Sequence, residues 1–211
     1  MHVADGVLSG PVWGAGFAAA AALAAVTLRK VDMEDIPKIS VVTSVFFVAS
    51  LIHFPVGPSS LHLILNGLVG VVLGIRAFPA ILLGIVLQAI LFGHGGVSVI
   101  GVNTVMMGVG ALCAYWVWLQ RKRFNFPKRD VAFGAIAGAV AIIVSGFILA
   151  MALYTTGEAL WAMAGMVFIY HIPLMLIEGA VAGACVGFLL RVKPEVLSDT
   201  QPRLRSEPTH E

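Results

Sequence analysis

The chain has 211 residues, 59% of them hydrophobic and only 11% charged, with a formal net charge of +2. An ordinary soluble domain is about 25% charged, so a soluble globular protein is excluded and an all-α, multi-pass membrane protein is expected, its apolar stretches facing lipid and one another. Cys113 and Cys185 lie inside apolar runs, where a thiol acts as a small hydrophobe, and indicate neither a disulfide nor a thiolate metal site.

A hydrocarbon core of about 30 Å takes roughly 20 apolar residues to cross. In chain order the apolar segments predict seven transmembrane helices: Leu8 to Leu28, Ile39 to Phe54, Leu61 to Ile75, Phe78 to Phe92, Val102 to Leu119, Val131 to Tyr154 and Leu160 to Leu190. The second, third and fourth are short, which suits buried or tilted segments, or ones that stop short of a full crossing. Residues 1–192 read as a single membrane-embedded domain, and no internal repeat is visible. The polar, Pro-containing stretch 193–211 reads as a disordered cytoplasmic tail.

The thirteen Lys and Arg residues set the orientation. Arg29, Lys30 and Lys38 follow the first segment, and Arg76 the third. Arg121, Lys122, Arg123, Lys128 and Arg129 follow the fifth, and Arg191, Lys193, Arg203 and Arg205 the seventh. With seven spans all of them fall on one side, which the positive-inside rule assigns to the cytoplasm, leaving the N-terminus outside. The start Met-His-Val-Ala-Asp-Gly has neither a basic n-region nor a cleavage site, so the mature protein is expected to begin at Met1.

Under this topology His2, His53, His62 and His94 share the outer side, and in a chain so poor in polar groups they point toward metal. The imidazole and backbone nitrogen of His2 and the amino group of Met1 can reach one ion together, giving three nitrogens from two residues. A fourth from a histidine elsewhere would complete a square-planar set suited to Ni(II) or Cu(II), with Co(II) also compatible. The competing reading is that His2 merely begins a disordered terminus. Asp5, His53 and His94 are further candidates for contacts around the ion or for transient ligation.

The segment from His53 to Asn66 holds two prolines and a glycine and predicts a rigid outer turn that delivers His62 to a helix start. Asn66, four residues on, would share its helical face and either orient the His62 ring or bond another helix. The Gly-rich stretch Phe92 to Asn103 predicts close packing over the outer face. In the last segment His171 and Glu178 form an intramembrane polar pair, seven residues apart with Pro173 between them to kink or interrupt the helix. They suit a structural hydrogen-bond network or a transport-linked element. Gly14, Ala18 and Ala22, and likewise Gly179, Gly183 and Gly187, recur every four residues and predict close helix packing or docking of a partner subunit.

Met1-His-Val-Ala-Asp-Gly-Val-Leu-Ser, Gly57-Pro-Ser-Ser-Leu-His62 with Leu63-Ile-Leu-Asn66-Gly, Phe92-Gly-His-Gly-Gly, Gly101-Val-Asn103-Thr, His171-Ile-Pro and Glu178-Gly carry a family resemblance. Over residues 1–190 the chain resembles the CbiM/NikM substrate-binding (S) components of energy-coupling factor (ECF) transporters for cobalt and nickel. The resemblance implies a seven-helix subunit of a prokaryotic cell (inner) membrane whose N-terminus folds into the bundle. Met1, His2 and His62 would then hold Ni2+ or Co2+ as transported substrate, with no organic cofactor. It also implies a transmembrane coupling protein of the EcfT/CbiQ/NikQ type, a cytoplasmic ATPase pair of the EcfA/CbiO/NikO type, and in some members a small accessory subunit of the CbiN/NikN type. The bilayer surrounds them, and no nucleic acid is involved. The chain has no P-loop, so ATP hydrolysis is expected on another polypeptide and the chain itself is not expected to be an enzyme.

Cobalt-type members carry a Cys-Ser-His-Pro-like stretch where this chain reads Pro58-Ser-Ser-Leu-His62, which is similar to the nickel-type branch. The ligands alone leave nickel against cobalt open. Two other readings compete with uptake through partners. One is a self-sufficient secondary transporter or channel using His171 and Glu178, against which the missing repeats weigh. The other is an intramembrane metalloenzyme, which lacks His-Glu-x-x-His and an evident general base.

Overall fold

The computed structural model describes residues 2–51, 53–56 and 59–198, with the backbone alone at 53–56, 59–62 and 168. Seven α-helices run through these residues: α1 (Gly10–Leu28), α2 (Ile36–Ala49), α3 (Asn66–Leu73), α4 (Ala77–Phe92), α5 (Ile100–Gln120), α6 (Arg129–Thr156) and α7 (Trp161–Val192). Five stretches are long and apolar enough to cross a membrane, namely α1, residues 66–92 taken together, α5, α6 and α7. Their outward faces carry large apolar side chains such as Ile90, Trp116, Leu176 and Phe188, as a chain solvated by lipid requires.

Between α2 and α3 the helical expectation gives way to an antiparallel hairpin, β1 (His53–Val56) and β2 (Ser59–His62), with His53 opposite His62 in register. The expected second span therefore ends at Ala49 rather than Phe54. The expected third span shrinks to Asn66–Leu73, so His62 and Asn66 do not share a helical face. Apart from this hairpin, the regular structure of the described residues is helical.

Short α3 is the centre of the bundle, all of it buried except Leu68. Its backbone presses on α5 where a Cβ on Gly70 would lie 2.1 Å from the Ala111 carbonyl oxygen, and on α6 where one on Gly67 would lie 2.6 Å from the Gly138 Cα. Phe46, Phe78, Ile81, Met106, Met107 and Ile142 fill the space around it.

α7 runs continuously through Pro173, so of the expected kink or interruption it is the interruption that is not found. It packs on α6 through the predicted glycines: a Cβ on Gly179 would meet the Ala135 carbonyl at 3.0 Å, one on Gly183 the Ala135 Cβ at 3.0 Å, and one on Gly187 the Val131 side chain at 3.3 Å. On α1 the close approach belongs to a different set. Gly16 and Gly101 of α5 interlock, with would-be Cβ contacts of 2.3 Å to Val102 Cγ2 and 2.5 Å to Phe17 N. Gly14 has open space around it, and Ala18 and Ala22 are exposed.

At the basic end of the bundle, Arg76 joins Asp35 at 2.7 Å and donates to the Lys30 carbonyl at 3.0 Å. The first residues of the expected tail fold back here. After the turn Pro194–Val196, Leu197 is buried, the Ser198 hydroxyl donates to the Val71 carbonyl at 2.6 Å, and Trp118 Nε1 donates to the Ser198 carbonyl at 3.1 Å. Residues 199–211 of that tail lie outside the described residues.

Candidate metal-binding site

At the other end of the bundle the N-terminal residues enter between α4 and α5. Val3 is held on both sides of its peptide: its N–H donates to Asn103 Oδ1 at 3.0 Å, and Asn103 Nδ2 donates to its carbonyl at 3.2 Å. Asn103 is 1% exposed, so this pairing is made out of water's reach. Two residues on, the Asp5 N–H donates to the Gly95 carbonyl at 2.7 Å. The Asp5 carboxylate accepts from the Ser98 N–H at 3.0 Å and its hydroxyl at 2.5 Å. Residue 3 is thus fastened to the first turn of α5, and residue 5 to the loop between α4 and α5.

That loop is shaped for the purpose. Gly95 and Gly96 have φ of +78° and +106°, in the left-handed region that a Cβ disfavours. A Cβ on Gly95 would lie 2.6 Å from Asn103 Nδ2, and one on Gly96 would lie 2.0 Å from the Asp5 carboxylate. The Gly-rich stretch therefore provides the predicted close packing, and what it packs against is the N-terminal segment.

This anchoring carries His2 into the bundle, where its Nε2 lies 2.7 Å from Gln88 Oε1. Gln88 Nε2 in turn donates to the Ser50 hydroxyl at 2.7 Å, and that hydroxyl donates to the Phe47 carbonyl at 2.6 Å. The His94 ring sits beside His2 with ring centroids 6.1 Å apart. It is brought there by the ending of α4: Gly93, left-handed at φ +64°, turns the chain so that the His94 N–H donates to the Gln88 carbonyl at 3.2 Å.

The residues that lead from the hairpin into α3 are held by Glu178. Its carboxylate, 1% exposed, accepts the amides of Ile64 and Leu65, which immediately precede α3. Two free amides ahead of a helix find in this carboxyl group the acceptor that the helix does not supply. His171 Nδ1 meets the Val167 carbonyl of its own helix, so each member of the expected polar pair has a described partner of its own. Asn66 takes the interhelical alternative. Its Nδ2 donates to the Met107 carbonyl at 3.1 Å and to the Ser145 hydroxyl at 3.0 Å, tying α3 to α5 and α6.

Of the residues predicted for the site, the structure brings together His2 and His94, with Asp5 securing the segment that bears His2. Met1 and the side chains of His53 and His62 lie outside the described residues. Among the described residues, no three His, Cys, Asp or Glu side chains are grouped to hold a metal ion. Gln88, Ser50, Asn103 and Ser98 escaped sequence reasoning as functional residues. The available signal was Gln88, a lone amide in an otherwise apolar α4.

The family model for the cobalt uptake substrate-specific transmembrane region, CbiM, matches residues 2–196. A Haemophilus influenzae protein named for metal transport is 34% identical over 203 residues, covering 95% of this chain and 98% of its own. Archaeoglobus fulgidus has a fused protein named for nickel transport, NikMN, 25% identical over 93% of this chain and 68% of its own length. Methanocorpusculum labreanum has a fused protein named for cobalt transport, CbiMQ, 28% identical over 93% of this chain and 36% of its own length. A crystal structure of a transition metal transporter superposes with a TM-score of 0.78 at 23% identity, covering 91% of this chain and 93% of that one, which shows a shared fold.

Proposed function

The chain belongs to the CbiM family of cobalt uptake substrate-specific transmembrane proteins, and on that premise we propose that it captures Ni(II) or Co(II) on the outer face of a prokaryotic cell membrane and hands the ion inward with partner subunits. In this reading the chain is a seven-helix membrane subunit with its N-terminus outside. The Met1 amine, the His2 amide and imidazole, and the His62 imidazole are the four nitrogen ligands, a donor set that suits a square-planar ion. The chain performs no covalent chemistry. ATP hydrolysis belongs to partner ATPases, and coupling to a CbiQ-type membrane protein, with a small NikN-type subunit as a further partner, is in keeping with the fused relatives.

The observation that carries the reading is the clamp on Val3. A terminus that served no purpose would have no reason to bury its third residue and spend a buried Asn on both faces of that peptide. Held there, His2 is pre-positioned beside the clamped peptide, so the ion does not have to order a loose segment. In this reading the same segment serves as both ligand and plug, and release requires partners to tilt or open the bundle.

The test is calorimetric titration of Ni(II) and Co(II) into the purified chain, with its native N-terminus and with one residue added before Met1. The added residue converts the terminal amine into an amide and breaks the chelate. One tightly bound ion that is lost on extension is the expected result. Equal binding by both forms would move the ligands to the histidines of the hairpin and loop and overturn the N-terminal chelate.

A further inference from the structure

We propose that Gln88 is a positioning residue that dictates which ring nitrogen of His2 faces the metal, and that it does so through Ser50 and the Phe47 carbonyl. The inference rests on His2 being a ligand, as proposed above.

The direction of each hydrogen bond follows from the one at the far end. A backbone carbonyl only accepts, so the Ser50 hydroxyl hydrogen is committed to Phe47 at 2.6 Å. What remains of that hydroxyl toward Gln88 is a lone pair, and the group 2.7 Å away must be the donor, the amide Nε2. The amide orientation, usually ambiguous by shape, is therefore fixed by chemistry. Its oxygen is left facing His2, and because an amide oxygen only accepts, the His2 Nε2 at 2.7 Å carries the proton. A neutral imidazole protonated at Nε2 has its lone pair at Nδ1, the nitrogen nearer its own main chain. That is the nitrogen able to close a chelate with the His2 amide and the amine before it.

The relay is shielded from bulk water, since Gln88 is 0% and Ser50 2% exposed. The acceptor on Nε2–H also makes Nδ1 a stronger donor to a metal, as outer hydrogen-bond partners of ligating histidines generally do. Ser50 ends α2 and Gln88 lies in the last turns of α4, so the same bonds hold both helices to the ring they orient.

The test combines proton–nitrogen NMR of histidine-labelled, metal-free protein with Ni(II) calorimetry, on the wild type, Gln88→Met, Gln88→Glu and Ser50→Ala. The His2 signals are assigned by their loss in His2→Ala. The wild type is expected to show a slowly exchanging proton on Nε2. Gln88→Met keeps the volume but removes the acceptor, and should lose that signal to exchange and bind Ni(II) about 10–100-fold more weakly. Gln88→Glu retains an acceptor and should keep both properties, an ordering that a purely packing role would not produce. Ser50→Ala frees the amide to turn and should fall between. A wild-type His2 protonated at Nδ1 would overturn the proposal without any variant of Gln88 having to fold, as would Gln88→Met binding Ni(II) as tightly as wild type. An Nε2 proton in a wild-type chain that binds no Ni(II) would overturn the ligand role of His2 while upholding the relay itself.

Discussion

Glu178 on α7 holds the Leu65 amide in a fork, with Leu65 N 3.0 Å from Oε2 and 3.2 Å from Oε1, and takes the Ile64 amide as well. Leu65 has a left-handed backbone at φ +56°, a conformation that costs a non-glycine residue on the order of 1 kcal/mol and persists only where its surroundings impose it. The carboxylate imposes it. Glu178→Ala leaves two buried amides without an acceptor, at roughly 1–3 kcal/mol each. The midpoint of thermal unfolding in detergent should fall by several degrees, and Glu178→Gln, which keeps one acceptor, should fall less. A Glu178→Ala midpoint equal to wild type would show that the fork is not needed.

Asn103 is placed to order the chain start. Asn103→Leu keeps the bulk and removes both hydrogen bonds to Val3. If the bound form must then order the segment unaided, Ni(II) binding should weaken by about 1–3 kcal/mol, roughly 5–150-fold in Kd. An aminopeptidase should also remove the first residues faster in the metal-free protein. Unchanged rates of trimming would refute the clamp.

Gly16 and Gly101 set the distance between α1 and α5. Gly101→Ala puts a Cβ within 2.5 Å of the Phe17 main chain, where only a shift of a whole helix gives relief, and should cost about 1–3 kcal/mol. Gly14→Ala, with open space around it, should change stability by less than about 0.5 kcal/mol. Paired melting curves decide the matter, and equal effects at the two positions would contradict the packing described.

Leu197 lies beyond the last helix yet is 2% exposed, beneath α3 and beside the Trp118–Ser198 contact. Leu197→Ala should cost about 2–4 kcal/mol, the usual loss for a buried leucine. It should also raise the fluorescence sensitivity of the protein to a water-soluble quencher as Trp118 becomes reachable. Neither change would be seen if this segment were merely a solvated tail.

The long helices were legible because a lipid-facing segment has one way to satisfy its backbone, and apolar length alone reports it. Legibility failed between Ala49 and Asn66. Leu61, Leu63, Ile64 and Leu65 read as the start of a span by composition, but the helix begins only after Leu65, whose conformation is held by a residue 113 positions away. No local pattern carries that. On α1 the residues 14, 18, 22 and 16, 20, 24 are small alike, and which row is buried was decided by Gly101 on another helix. The histidines near the N-terminal end announced themselves by residue type. Gln88, Ser50 and Asn103 did not, because an amide or hydroxyl acquires its role only from the helices that meet around it.

The clamp at Val3 also imposes an order on biogenesis. Residues 2–5 have no place to dock until Gln88, Gly95 and Asn103 have been made and their helices inserted, and the residues leading into α3 have no fork to hold them until Glu178 follows. On the function proposed above, a chain that lacks α7 should therefore be unable to seize metal.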